Sequence, residues 1–293
     1  MKIIAIALTA LLLLGMLSGC ATQPQAQICA TTLPVYQFTS RLCAGTGITV
    51  SQLITEPVSC LHDYSLSVNQ VKAVESAELV VTSGAGLEGF LHDVLNGNHN
   101  IIDCSHGIAL LSCESEGEHG HDHAGHNHEA DSHIWLNPLN AKIMSANIYE
   151  GLCRKYPSFS DTFSKNLQAL HTELDALYAY GREQLSSLRC RDMITFHDGF
   201  GYLADCFDLH ILKAIEEESG SEASAQELKH LIGLVQEHQL PAVFTERNGS
   251  ASAARIICAE TGISSFPLDM AMGGDDYFKA MYHNIDTIKE ALG

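Results

Sequence analysis

Sixteen histidines occur in this chain of 293 residues, and six of them fall between Gly117 and His133. The run from Glu118 to Glu129 sets His119, His121, His123, His126 and His128 among Asp122 and the two glutamates. Neutral imidazole is the commonest metal ligand and suits zinc, copper, iron and nickel, so this composition offers nitrogen donors in an anionic field. No apolar residue larger than alanine interrupts the run, which therefore cannot pack as core. It reads as a metal-collecting loop. A purification tag is the bland alternative, but tags sit at termini and are not mixed with Asp, Glu and Gly.

Other metal-competent residues stand where a parallel sheet would deliver them. Short apolar runs at 28–33, 48–54, 79–82 and 100–104 read as strands, as do 193–196, 211–215, 242–245 and 264–268 in the second half. Ligands of open parallel sheets bind beyond the carboxyl ends of the strands. His62 follows the second run, His133 closes the His-rich segment, His197 caps the first run of the second half, and Asp269 ends the last run. Taken singly, each has an ordinary reading as a loop, core or capping residue; their joint placement favours a metal. Three imidazoles and one carboxylate make a tetrahedral set suited to zinc. Filling all four positions with protein leaves no place for a water nucleophile, which favours capture over catalysis. His92, His99, His106, His171, His210, His230, His238 and His283 lack such placement and read as surface or structural.

Helical spacing over 34–43, 67–77, 87–95, 138–156, 224–238 and 251–261 supplies the crossovers, and Gly262 suits a helix C-cap. A longer periodic segment at 158–188 carries Phe163, Leu167, Leu170, Leu174, Leu177 and Leu185, with Gly181 its weak point, and would span roughly 45 Å. The fold class is α/β: two lobes, each with a four-stranded mostly parallel sheet flanked by helices, joined by one long rigid helix. Residues 28–156 form the N-terminal lobe with the His-rich loop at 117–132, 157–189 the linking helix, and 190–293 the C-terminal lobe.

An apolar fraction of 46% is ample for buried cores. Sixteen Lys and Arg against 35 Asp and Glu give a net charge of −19 with no basic patch, which excludes nucleic acid and suits a cation-attracting protein. Residues 1–19 read as a signal peptide, with Lys2, an apolar run at 3–14 and Leu17-Ser-Gly before Cys20; the run is too short for a membrane span. Leu-Ser-Gly-Cys resembles the lipobox of bacterial lipoproteins. That implies cleavage before Cys20, lipid on its thiol, residues 20–27 as a tether, and an extracytoplasmic protein anchored to the bacterial membrane or periplasmic. Ten cysteines in an exported chain suggest disulfides; with Cys20 lipidated an odd number remains, so at least one is free or pairs between molecules.

The chain resembles the metal-specific solute-binding lipoproteins of bacterial ABC importers, the zinc/manganese cluster A-I family. The resemblance rests on His62-Asp-Tyr-Ser-Leu-Ser-Val-Asn-Gln-Val-Lys72, Asp131-Ser-His-Ile-Trp-Leu-Asn-Pro-Leu-Asn-Ala-Lys142, Thr195-Phe-His-Asp-Gly-Phe-Gly-Tyr202, Val243-Phe-Thr-Glu246 and Phe266-Pro-Leu-Asp269. It implies a metal held between the lobes, ligand roles for His62, His133, His197 and Asp269, and Glu246 as a strand-end glutamate beside the ligands. It also implies a membrane permease and its ATPase as partners, a monomeric receptor and no enzymatic activity. Manganese members typically carry a glutamate where this chain has His197, so the resemblance implies Zn²⁺ rather than Mn²⁺ as the transported ligand. Leu61 stands where some zinc members have a glutamate. Water is therefore an alternative fourth ligand, with Asp269 then only supporting the others. Residues 247–250 depart from the family's usual continuation after Glu246. A thiolate from Cys60 is disfavoured by oxidation outside the cell.

The expected function is capture of extracytoplasmic zinc and its delivery to an ABC importer. A manganese receptor and a zinc-binding adhesin or buffer of the same fold are the alternatives. A zinc hydrolase fits poorly, since His119-Gly-His-Asp-His123 has the wrong spacing for a metallo-β-lactamase and neither a serine nucleophile elbow nor His-Glu-x-x-His is present.

Overall fold

The computed structural model describes residues 26–56, 58, 61, 64–95, 100–112, 130–215, 223–274 and 276–293. Three sets of expected features lie outside the described residues: the signal peptide with Cys20, the candidate ligand His62, and the accessory histidines His119, His121, His123, His126 and His128.

In the first lobe β1 (Ile28–Ala30), β2 (Val50–Gln52), β3 (Leu79–Thr82) and β4 (Ile101–Asp103) pair in the order β2-β1-β3-β4, every pair parallel. The crossovers carry α1 (Leu33–Leu42), α2 (Val68–Ser76), and a 3-10 turn at Gly89–Leu91 running into the short α3 (His92–Leu95). Helix α2 starts where its sequence says it should: Ser67 and Gln70 form a reciprocal capping box. The segment expected to be helical over 87–95 is thus one 3-10 turn and one α turn, preceded by Gly84, Ala85 and Gly86 at positive φ, which delay helix entry.

After β4 the chain reaches a 3-10 turn at Ile134–Leu136 and then α4 (Pro138–Lys155), opened by the Asn137 side chain accepting the Leu139 amide and by proline in the first turn. Helix α5 (Ser160–Gln184) has 25 residues, about 37 Å, shorter than the expected 158–188 because a 3-10 turn at Pro157–Phe159 precedes it. Its stripe of Phe163, Leu170, Leu174 and Leu177 is buried, and it packs along α1 and α4. Gly181 is not a weak point. A Cβ there would stand 2.4 Å from the Phe207 ring, so glycine makes room for the aromatic.

The second lobe repeats the strand order of the first. Strands β5 (Asp192–Phe196), β6 (His210–Ala214), β7 (Ala242–Glu246) and β8 (Ser264–Leu268) pair in parallel as β6-β5-β7-β8. Between them lie α6 (Gly201–Cys206), α7 (Ala225–Glu237) and α8 (Ser252–Thr261). Ser224 and Glu227 make a second capping box at α7, and Gly262 closes α8 in the left-handed conformation expected of it. Two helices lack a counterpart in the sequence reading: α6, and the C-terminal α9 (Tyr277–Leu292), capped by the Asp276 side chain on the Lys279 amide. Helix α9 packs against α5 and α1 and so ties the end of the chain to both lobes.

Alternation along β7 shows how the core divides. Ala242 and Phe244 join a core that runs through the first lobe, α4, α5 and α9, while Val243 joins a separate one with Ile194, Phe196, Leu231, Val235, Ala253 and Ile257 beneath α7 and α8. One face of the second sheet is therefore shared with the first lobe.

The disulfides suggested by an exported chain do not form among the described residues: Cys29, Cys43, Cys104, Cys153, Cys190, Cys206 and Cys258 are free thiols. Burial pushes the thiols up, to about 11 for Cys29 and about 12 for Cys43 and Cys206, so these behave as small, inert apolar groups.

Candidate metal centre

His133 and His197 come together across the interlobe junction. Their Nε2 atoms are 3.5 Å apart, the ring planes stand at 84°, and the two residues are 3% and 8% exposed. Two zinc-bound nitrogens at 2.0–2.1 Å from a tetrahedral ion lie about 3.3–3.4 Å apart, so the pair already spans close to one edge of such a tetrahedron.

Each imidazole has a carboxylate behind it. Asp131 Oδ1 accepts the backbone N–H of His133 at 2.8 Å and lies 2.9 Å from its Nδ1. A proton on Nδ1 satisfies that carboxylate and leaves Nε2 as the lone-pair donor. The other lobe holds this arrangement in place. Tyr202 donates its hydroxyl hydrogen to the Asp131 carbonyl at 3.0 Å and accepts the Leu111 amide, while Asp131 N–H bonds to Leu111 O. Asp131 and Ser132, expected to belong to a His-rich loop at 117–132, are both only 6% exposed, so the buried wall of the centre begins before His133.

Behind His197 stands Glu246, at the end of β7. Its Oε2 is 3.7 Å from His197 Nδ1, beyond hydrogen-bond reach, and its Oε1 is buried without a partner among the described residues. Burial pushes this carboxyl up to about 8, with the charge of Asp269 adding to the effect. A buried carboxyl left underbonded next to two facing imidazoles is a polar site whose bonding the described residues do not complete.

Close approach of these groups depends on glycine. A Cβ on Gly199 would meet Met270 Cε at 2.6 Å, His197 Cδ2 at 2.7 Å and His133 Cε1 at 2.9 Å; one on Gly201 would meet Asp131 Oδ2 at 2.8 Å. Trp135, edge-on to His133, donates its indole N–H to Met270 O at 2.7 Å, and Tyr277 donates its hydroxyl to Trp135 O at 2.7 Å. The block that carries the second histidine is thereby bolted to the loop after β8 and to α9.

Asp269 lies at the end of β8 as the strand-end rule requires, with Oδ1 accepting the Ala271 amide at 2.8 Å and Oδ2 3.1 Å from Arg247 Nη1. Among the described residues no third histidine, cysteine or carboxylate completes a group of three metal donors with the imidazole pair. The structure therefore assembles two of the four expected ligands and places the third, Asp269, in other bonds. Sequence reasoning missed Asp131, Tyr202 and Gly199. An Asp two residues before a candidate histidine, and two glycines within four residues after another, were the available signals.

Paired parallel α/β lobes with a buried, carboxylate-backed imidazole pair where they meet define a two-lobed metal-binding receptor. The chain belongs to the ZnuA family, described as zinc-uptake complex component A, periplasmic, whose pattern matches residues 28–291. It is 30% identical to the zinc-binding lipoprotein AdcA of Streptococcus pneumoniae over 99% of this chain and 61% of that protein. It is 28% identical to a Treponema pallidum protein named for metal binding, over 86% of this chain and 83% of the other. A crystal structure of ZnuA superposes with a TM-score of 0.78 at 30% identity, covering 92% of this chain and all of that one. The chain spans about three fifths of the length of AdcA.

Proposed function

We propose that this protein captures extracytoplasmic Zn²⁺ and hands it to the membrane permease of an ABC importer, the permease being driven by its ATPase. The observation that carries this is the His133–His197 pair, buried, facing, and separated by close to one edge of a zinc tetrahedron. His62 and the Asp269 carboxylate complete the set, with Glu246 and Asp131 orienting the imidazoles from behind. Nitrogen donors at three positions favour zinc over manganese. The family's role as a zinc-uptake component, and the zinc named in AdcA, support the same cargo.

In this reading the protein is not an enzyme. Residues 28–156 and 190–293 form the two lobes, 157–189 brace them, and lipid on Cys20 anchors a monomer to the membrane. His119, His121, His123, His126 and His128 act as an accessory collector that raises the local zinc concentration.

Metal analysis after stringent dialysis tests the assignment. The chain lacking residues 117–129 retains one zinc, whereas His197→Ala loses it; zinc lost by the first and kept by the second would place the tight site in the histidine-rich run. Because binding requires neutral imidazoles, zinc affinity falls as acidification protonates them. Calorimetry at pH 5 and 7.5 giving equal affinities would argue against imidazole ligands.

A further inference from the structure

Asp269 is held by two quite different kinds of bond. Its backbone is locked: the N–H donates to Asn284 Oδ1 at 2.8 Å and the carbonyl accepts Asn284 Nδ2 at 2.7 Å, with Asn284 fully buried in α9. Its Oδ1 is taken by the Ala271 amide two residues on. Only Oδ2 has a partner that can leave, the guanidinium of Arg247, whose side chain is 61% exposed against 14% for Asp269. Arg247 follows directly on Glu246, and its own amide bonds to Leu268 O, so the arginine sits at the rim of the imidazole centre through a fixed backbone and a free side chain.

Exposed ion pairs of this kind contribute little, because solvent screens them and replaces them readily. A divalent cation beside two imidazoles outcompetes a monovalent, hydrated guanidinium for the same oxygen. We propose that Arg247 is an exchange partner for the captured cation: it pairs with Asp269 Oδ2 in the empty receptor, yields that oxygen to the metal on loading, and takes it back on release. The arginine thereby moderates affinity and offers the departing ion's ligand an alternative cation, which a receptor that must surrender its cargo requires. This rests on the reading of His133, His197 and Asp269 as metal ligands.

The test uses the purified full chain, one equivalent of zinc and a competing chelator, with Arg247→Gln, Asp269→Asn and the double variant, and cobalt(II) as a spectroscopic probe of the same site. Arg247→Gln is expected to bind zinc about threefold tighter and to release it correspondingly more slowly, the scale set by the exposed ion pair that the metal no longer has to displace. Asp269→Asn binds more weakly and shifts the visible cobalt bands, while Arg247→Gln leaves those bands where they are. In the Asp269→Asn background the gain from Arg247→Gln disappears. Unchanged affinity in Arg247→Gln overturns the proposal, as does a gain of equal size in both backgrounds, which would mean that arginine acts through its field alone. Cobalt bands indifferent to Asp269→Asn also overturn it. His197→Ala separates the two levels: if it keeps the first zinc equivalent, the metal centre and the exchange fall together, whereas loss of zinc there with a silent Arg247→Gln removes the exchange only.

Discussion

The two lobes share a strand order, and each buries one glutamate at the carboxyl edge of its sheet, yet the two glutamates are treated in opposite ways. Glu88 accepts the Thr31 hydroxyl at 2.7 Å, the Ser83 amide at 2.7 Å and the Gly84 amide at 3.0 Å, so it closes the ends of β1 and β3. Glu246 leaves one oxygen unbonded and holds the other 3.7 Å from an imidazole. Burial raises both carboxyls, to about 7 and about 8. The first carboxylate has its bonding completed by its own chain. The second is left incomplete among the described residues. A sheet edge that is satisfied supports the fold, and one kept incomplete supports binding.

Replacing each glutamate should separate those roles. Glu88→Ala strands a hydroxyl and two amides in the interior and should cost about 3–5 kcal/mol in urea unfolding, with loss of zinc binding only in proportion to unfolded protein. Glu246→Gln breaks no hydrogen bond among the described residues and should alter stability by less than about 1 kcal/mol while weakening zinc binding severalfold. Equal stability losses in the two variants would erase the distinction.

The next largest effect is in pH dependence. A carboxyl whose folded value is raised holds its proton in the native state while the unfolded chain has released it. Its contribution to stability is therefore full below the unfolded value of about 4.5 and is lost as pH rises through about 7. Metal-free protein should lose about 2–3 kcal/mol from Glu88 between pH 4.5 and 7.5, and the Glu88→Gln variant should show a flatter profile. A Glu88→Gln profile as steep as the wild type's would show that Glu88 is ionised in the native state.

Smaller effects come from close packing at two helical glycines. A Cβ on Gly181 meets the rigid Phe207 ring at 2.4 Å, and one on Gly151 meets Ile102 Cδ1 at 2.2 Å and Cγ1 at 2.4 Å. Gly181→Ala and Gly151→Ala should each lower stability by about 1–3 kcal/mol, as thermal unfolding would report. Smallest of all, removing the exposed Arg41–Glu173 pair between α1 and α5 should cost below about 1 kcal/mol and vanish at high salt.

The alternation of short apolar runs with helical spacing was enough to anticipate both sheets, because the central strands β1, β3, β5 and β7 are buried on both faces and are read from their own residues. Helix α9 escaped notice although Tyr277, Phe278, Met281, Ile285, Ile288 and Leu292 keep helical spacing. The glycine-rich turn before it masked its start at Asp276. Helix α6 opens on glycine and runs six residues, too short for periodicity to register. At the centre, strand-end placement found His197 and Asp269, since β-strand ends are set by local pattern. It could not reveal that Asp131 and Tyr202 hold His133, because that contact joins residues 71 apart in sequence. Nor could it reveal that Arg247 occupies Asp269.

Trp135 is the chain's single tryptophan, and it is wholly buried, 5.4 Å from the His133 ring and hydrogen-bonded to the opposite lobe. An indole emits according to the charge and dipoles around it. The protein thus carries a native optical gauge, free of background from any other tryptophan, seated beside the candidate metal centre. Its emission is expected to shift when the imidazole beside it changes state, so that zinc titration of the unlabelled protein can be followed directly.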